Sequence, residues 1–209
     1  MKGDMRVKVK ICGITNMDDA MAAVALGADA LGFVFFQGSP RYISPGDAAS
    51  IISKLPSFVI TIGVFVNEKP KKIEKIIAST GIDIIQLHGD EPPEMCAFSR
   101  RIIKAIRVKS LASLDPLVHY QDKVSAFVLD TFSPDSFGGT GQKFNWDIAT
   151  YAKQFGRIIL SGGLTPDNIS EAIKQVQPYG VDVSSGVELK KGKKDHLKMR
   201  LFIERAKAA

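Results

Sequence analysis

Val7-Lys8-Val9-Lys10-Ile11-Cys12-Gly13 is the stretch from which the architecture is read. Residues 7–11 alternate apolar and polar with a period of two, which predicts a strand. Cys12 closes the run, Gly13 turns the chain, and Thr15-Asn16 precede an apolar helical pattern. A thiol at the carboxyl end of a strand, on a glycine turn, lies where α/β proteins keep their chemistry. Taken alone, Cys12 equally fits a small buried hydrophobe, the usual setting of a free cysteine.

The same unit of β-branched run, turn and amphipathic helix recurs along the chain. Strands are predicted over 7–12, 30–35, 59–66, 83–87, 101–107, 126–130, 157–160 and 181–184. Helical patterns lie near 17–26, 45–54, 70–79, 92–99, 111–120, 144–155, 166–176 and 194–207. Ser44-Pro45 and Thr165-Pro166 each read as a cap followed by proline at the first helical position. Gly27 and Gly81 stand where helices must end. Most of the strand runs are nearly continuously apolar, as in parallel strands covered on both faces. Right-handed βαβ crossovers repeated eight times close into a (β/α)8 TIM barrel. The expectation is therefore an α/β fold with one barrel domain over residues 1–209. A doubly wound open sheet is the alternative.

Composition sets outer bounds. The 209 residues allow one substantial core, and 45% hydrophobic with 24% charged residues is ordinary globular usage. Two cysteines, Cys12 and Cys96, make no disulfide framework and suit a reducing cytoplasm. No secretory signal or transmembrane run is seen, and Met5 is a possible alternative start. The net charge of +6 comes partly from Lys190-Lys191-Gly192-Lys193-Lys194, read as a solvated loop. No aromatic-interleaved basic stretch supports nucleic-acid binding, whereas a mild positive field suits a small anionic substrate.

On a barrel, strand ends converge on one face. Candidates there are Cys12, residues 37–41, Asn67, residues 86–89, Arg107, Asp130, Gly162-Gly163 and Ser184-Ser185-Gly186. Asp130 ends an apolar run, and a desolvated carboxyl group tends to keep its proton, as a general acid needs; a turn aspartate is the other reading. The long segment after it carries Gly138-Gly139-Thr140-Gly141, which reads as a lid loop or a slack connection. The turns at Gly162, Gly163 and at Ser185, Gly186 follow the last two strands and look like a phosphate cradle, because glycines let backbone N–H groups approach an anion. Arg41 is placed to clamp a carboxylate or to lie on the surface. His88 is placed to bind substrate, to move a proton or simply to pack. Asp182, inside the last strand, is a further substrate contact. Cys96 is read as a core residue within a helix. Three scattered histidines give no metal-ligand spacing, so no metal is expected.

These segments together resemble the phosphoribosylanthranilate isomerases. The resemblance is carried by Lys10-Ile11-Cys12-Gly13-Ile14-Thr15, Ser39-Pro40-Arg41-Tyr42, Gln86-Leu87-His88-Gly89, Leu129-Asp130-Thr131, residues 138–141, Ser161-Gly162-Gly163-Leu164 and residues 181–188, in order and over nearly the whole chain. It implies a cofactor-free Amadori rearrangement of phosphoribosylanthranilate in tryptophan biosynthesis. It implies Asp130 as general acid, Cys12 as general base, Arg41 on the anthranilate carboxylate and the backbone near Gly163, Ser185 and Gly186 on the phosphate. The turn at Gly13 and the helix after it are expected to favour the thiolate. Asn145 departs from the aspartate expected there, but caps a helix equally well. A ribulose-phosphate epimerase would need metal-binding histidines and acids at strand ends. A histidine-pathway sugar isomerase would have aspartate in place of Cys12. A redox sensor would need a resolving cysteine better placed than Cys96. Oligomeric state is left open between monomer and homodimer.

Overall fold

The computed structural model describes residues 6–131 and 146–209. The lid-loop residues 138–141, Asn145 and Met5 lie outside them. Eight parallel strands, β1 (Lys8–Cys12), β2 (Ala30–Val34), β3 (Ile60–Phe65), β4 (Ile84–Leu87), β5 (Arg101–Val108), β6 (Ala126–Thr131), β7 (Ile158–Leu160) and β8 (Gly180–Val183), pair in sequence order. β8 pairs back onto β1, so the sheet is a closed barrel. This is the TIM barrel the repeats predict, and the open sheet is excluded.

Alternation along each strand divides the core into two layers. Val9, Ile11, Leu31, Phe33, Ile85 and Leu87 point outward, against the helices. Ala30, Ile62, Ile84, Ile103, Val128 and Ile159 fill the barrel interior. Lys10 and Cys12 share the inward face of β1. The alternation in β1 is thus a switch between two buried layers, not between core and water.

Three helices follow their sequence signals closely. α1 (Met17–Ala25) is capped by the Asn16 side chain, which accepts from the Asp19 N–H. α2 (Pro45–Ile52) starts at the Ser44 cap, and α3 (Pro70–Thr80) ends on Gly81 in a left-handed conformation, φ 75°. α4 (Trp146–Ala152) is continued by a 3₁₀ turn over Lys153–Phe155.

Other expectations need correction. The helix sought over 92–99 is one 3₁₀ turn, Pro93–Met95, and Cys96 is its half-buried cap rather than a residue within a helix. Pro92-Pro93 starts such a turn, but the nearby Glu91 is pinned by other bonds, as described below. The segment over 111–120 is a 3₁₀ helix, Leu111–His119, because Pro116 inside it has no N–H for an α ladder. α5 begins only at Ile169 (Ile169–Val176). Its cap is not Thr165: Asn168 accepts from the Thr165 N–H at 2.9 Å and donates to the Gly163 carbonyl at 2.9 Å, knotting the preceding turn. The lysine-rich stretch is solvated only in part: Lys190 and Lys191 are exposed, but Lys194 is not. It forms a hairpin, β9 (Glu188–Lys190) with β10 (Lys193–Lys194), before α6 (His196–Ala208), and the Lys194 side chain is 0% exposed.

The loop after β4 rests on a buried ion pair. Lys104 of β5 donates to Glu91 Oε2 at 2.9 Å and to the Gly89 carbonyl at 2.7 Å. Glu91 in turn accepts from the Asn67 and Gly89 N–H groups. Removing one member of a buried pair strands the other. Lys104→Met is therefore expected to cost about 3–5 kcal/mol of folding stability, read from the urea unfolding midpoint.

Candidate active site

A cavity of about 380 Å³ opens at the carboxyl ends of the strands. Cys12 from β1 and Asp130 from β6 both line it, although they lie on well-separated strands. His88, Asp182 and Arg41 line it too, as do the turns after β7 and β8. Each sequence candidate for base, acid, substrate contact and phosphate cradle within the described residues therefore reaches one mouth.

Asp130 is buried, and its Oδ1 accepts from the Thr131 N–H at 2.8 Å. Its Oδ2 lies 3.4 Å from His88 Nε2. The Gln86 amide is 2.8 Å from His88 Nδ1. Nε2 is the ring nitrogen on the side facing Asp130.

The two glycine turns interlock. Gly162 and Gly163 both have positive φ, 80° and 66°. A Cβ on Gly162 would overlap the Thr131 backbone nitrogen, and one on Gly186 would overlap the Leu164 carbonyl oxygen. Glycine is required at both places by close approach. The result is a surface of main chain, with Ser185 and Gly186 in a 3₁₀ turn beside it.

A family model for N-(5'-phosphoribosyl)anthranilate (PRA) isomerase matches residues 9–205. An N-(5'-phosphoribosyl)anthranilate isomerase of Geobacter metallireducens is 58% identical over 203 residues, 97% of this chain and all of that protein. The chain belongs to the N-(5'-phosphoribosyl)anthranilate isomerase family. Its fold agrees with that of the dimeric isomerase from Thermotoga maritima, solved as monomers, at a TM-score of 0.87, 42% identity and coverage of 97% and 100% of the two chains. A further isomerase, solved with reduced 1-(o-carboxyphenylamino)-1-deoxyribulose 5-phosphate, gives 0.88, 43% and the same coverage. The chain is accordingly an isomerase of tryptophan biosynthesis.

Several features of this isomerase site were not foreseen. Arg41 is not a free clamp: its Nε and one Nη donate to the two oxygens of Glu188, each at 2.8 Å. The fork is buried, and Arg41 lines the cavity. Lys194 donates to the Cys12 carbonyl at 2.6 Å and to Glu188 Oε1 at 3.1 Å. The predicted help from the turn at Gly13 is absent, because the Gly13 and Ile14 N–H groups both donate to the Gly32 carbonyl. Burial pushes the Cys12 thiol above its ordinary pKa, and the ammonium groups of Lys10 and Lys194 oppose that rise. Arg107 turns away to Asp90, and Asn67 receives the Asp90 N–H, so these two brace the loop after β4. Ser184 lines the cavity with a buried hydroxyl that lacks a hydrogen-bond partner among the described residues, as does Asp182 Oδ1. Lys10 was recoverable from the sequence, standing two residues before Cys12 on the same strand face. Glu188 and Lys194 carried no such signal.

Proposed function

We propose that Cys12 and Asp130 divide the two essential proton transfers of phosphoribosylanthranilate isomerisation. The observation that carries this reading is the single cavity that holds a thiol, a carboxyl group and a glycine-built anion cradle. Asp130, protonated, gives its proton to the furanose ring oxygen as the C1′–O bond breaks. The nitrogen lone pair of the anthranilate forms the Schiff base. The positive nitrogen acidifies C2′–H, and the Cys12 thiolate takes that proton to leave an enolamine, which tautomerises to the ketone. The substrate's own nitrogen is the electron sink, so the scheme asks for no cofactor or metal. No cluster of possible metal ligands occurs among the described residues.

Arg41 would hold the anthranilate carboxylate with the guanidinium edge that Glu188 leaves open. The main chain at Gly162, Gly163, Ser185 and Gly186 would hold the phosphate, and Asp182 Oδ1, buried and without a hydrogen-bond partner among the described residues, is an acceptor for a sugar hydroxyl. His88, whose Nε2 faces Asp130, would steady the ionised Asp130 after the first transfer. A working thiol suits the reducing cytoplasm, which we assign as the compartment, and no helix among the described residues is long and apolar enough to cross a membrane. Residues 1–209 act in this reading as one catalytic domain.

For the assembly we infer a homodimer. Phe58, before β3, is 99% exposed at the amino-terminal end of the barrel. It borders a cavity of about 250 Å³ that is lined by Ile60, Ile62 and Tyr179 together with charged residues such as Lys8, Asp29 and Arg157. A bare phenyl ring beside a partly apolar recess is complementary to its own two-fold copy, and the Thermotoga relative is described as dimeric.

Cys12→Ala and Asp130→Asn are each expected to lower kcat by roughly 10²–10⁴, with unchanged circular dichroism, in a fluorescence assay on freshly generated substrate with EDTA present. Near-full turnover in either variant removes that residue from its role. Arg41→Ala should raise KM roughly tenfold to a hundredfold, as expected for loss of a charged hydrogen bond; an effect on kcat alone would contradict the clamp. Phe58→Glu should sediment as a monomer while keeping its turnover, since the cavity that binds substrate is at the other end. A wild-type protein that sediments as a monomer excludes the dimer.

A further inference from the structure

Lys10 has no part in the scheme above, yet it is among the most buried charges in the barrel. Its Nζ lies 2.8 Å from Asp182 Oδ2, with both side chains about 5% exposed or less. Its positive charge favours the Cys12 thiolate. The register between β1 and β8 sets Lys10 opposite Asp182, and the strand period puts it on the face of Cys12. Gly32, opposite Cys12 on β2, supplies the room: a Cβ there would stand 2.8 Å from Cys12 Sγ and 3.0 Å from Lys10 Cε. Three strands thus contribute to seating one ammonium group against one thiol.

We propose that Lys10 is a positioning residue for the base: its ammonium, held by Asp182, is the counter-charge against which Cys12 ionises and from which the thiolate takes the C2′ proton. The proposal rests on Cys12 being that base. Desolvation alone would drive Lys10 toward the neutral amine, but the Asp182 carboxylate and the thiol override it, so the ammonium persists. The other charged groups about Cys12 serve elsewhere. Lys194, from β10, spends its donors on the Cys12 and Ser184 carbonyls and on Glu188. Arg41, from the loop after β2, is forked on Glu188. Asp182, from β8, disfavours the thiolate by its charge. Asp130 faces the same cavity from β6, with His88 beside it. Of the two ammonium groups whose charge favours the thiolate, Lys10 is the one on the strand face of Cys12 and held by a single carboxylate.

The test is alkylation of Cys12 by iodoacetamide from neutral to alkaline pH, followed by peptide mass so that Cys96 is scored separately. Only the thiolate reacts, so the rate reports ionisation without substrate. Lys10→Gln keeps a hydrogen-bond donor and loses the charge. Its alkylation profile should move to higher pH, with a roughly tenfold slower reaction at neutral pH, and kcat should fall while KM changes little. Because that variant strands the Asp182 carboxylate, the same change is also made on Asp182→Asn, where no carboxylate remains to be stranded. Asp182→Asn should alkylate faster than wild type, and adding Lys10→Gln should slow it roughly tenfold. Equal rates with and without Lys10 on the Asp182→Asn background overturn the proposal. That result would leave the base assignment intact if Cys12→Ala is inactive. Conversely, a fully active Cys12→Ala would end the base assignment without altering the alkylation comparison.

Discussion

Closure of β8 onto β1 is the constraint on which the rest depends. The pairing puts Lys10 opposite Asp182 and Ile11 opposite Val183, which fixes how far β1 extends toward the mouth. A slip of one residue would turn Lys10 and Cys12 toward the helices and bring Val9 and Ile11 inside. A buried ammonium with no carboxylate opposite it would then face an apolar layer, at a cost no neighbouring contact could offset. The ion pair therefore works as a register lock. The same lock delivers a thiol to the barrel mouth and sets Gly32 beside it.

Above that lock lies a second network, built from segments that the barrel itself does not require. Glu188 and Lys194 come from the hairpin after β8, and Arg41 from the loop after β2. Glu188 is held below its ordinary pKa: burial opposes this, but Arg41 and Lys194 prevail. Lys194 is pushed downward by burial, which Glu188 only partly offsets. The hairpin is further tied to β1 and α1, through Thr15 to the Gly192 carbonyl at 2.5 Å and the Lys194 N–H to Asp19 at 2.8 Å. One carboxylate thus orients the guanidinium, while its lysine partner steadies the backbone that carries the thiol. The proposed clamp and the proposed base are mechanically joined through a β-hairpin of a few residues.

How much of this the sequence discloses follows from what each signal measures. Strand runs were legible because apolar residues pack on both faces of a parallel sheet, and all eight appear within a residue or two of their predicted limits. Helices with their own caps were legible for the same local reason, as at Asn16 and Ser44. The segments after β4 and β5 failed because an apolar pattern does not separate an α turn from a 3₁₀ turn when proline interrupts the ladder, as Pro116 does. The place of a candidate was legible wherever the residue stands at or near its own strand end and lines the cavity there: Cys12, His88, Asp130 and Asp182. It was opaque wherever a residue acts through a distant partner. The lysine run at 190–194 looks solvated by composition, and only the fold shows that Lys194 meets Glu188 and the Cys12 carbonyl, 182 positions away in sequence. Arg41 likewise found its carboxylate 147 positions along the chain.

The turns after β7 and β8 show why the anion cradle and the chemistry belong to one rigid unit. Gly162 is pressed against Thr131, the residue that holds Asp130 Oδ1, while Gly186 is pressed against Leu164. A phosphate gripped by these turns would therefore be fixed relative to the Asp130 carboxyl group by direct contacts, not by a flexible linker. Binding energy from a part of the substrate that does not react is useful only when it orients the part that does. In the proposed scheme the ring oxygen must meet Asp130 and C2′ must meet Cys12 from a single bound position. The proton lost by Asp130 and the one gained by Cys12 leave the enzyme with an unchanged proton count. The next cycle then needs only a transfer from thiol to carboxylate within the cavity, which the Lys10 ammonium favours by stabilising the thiolate that results.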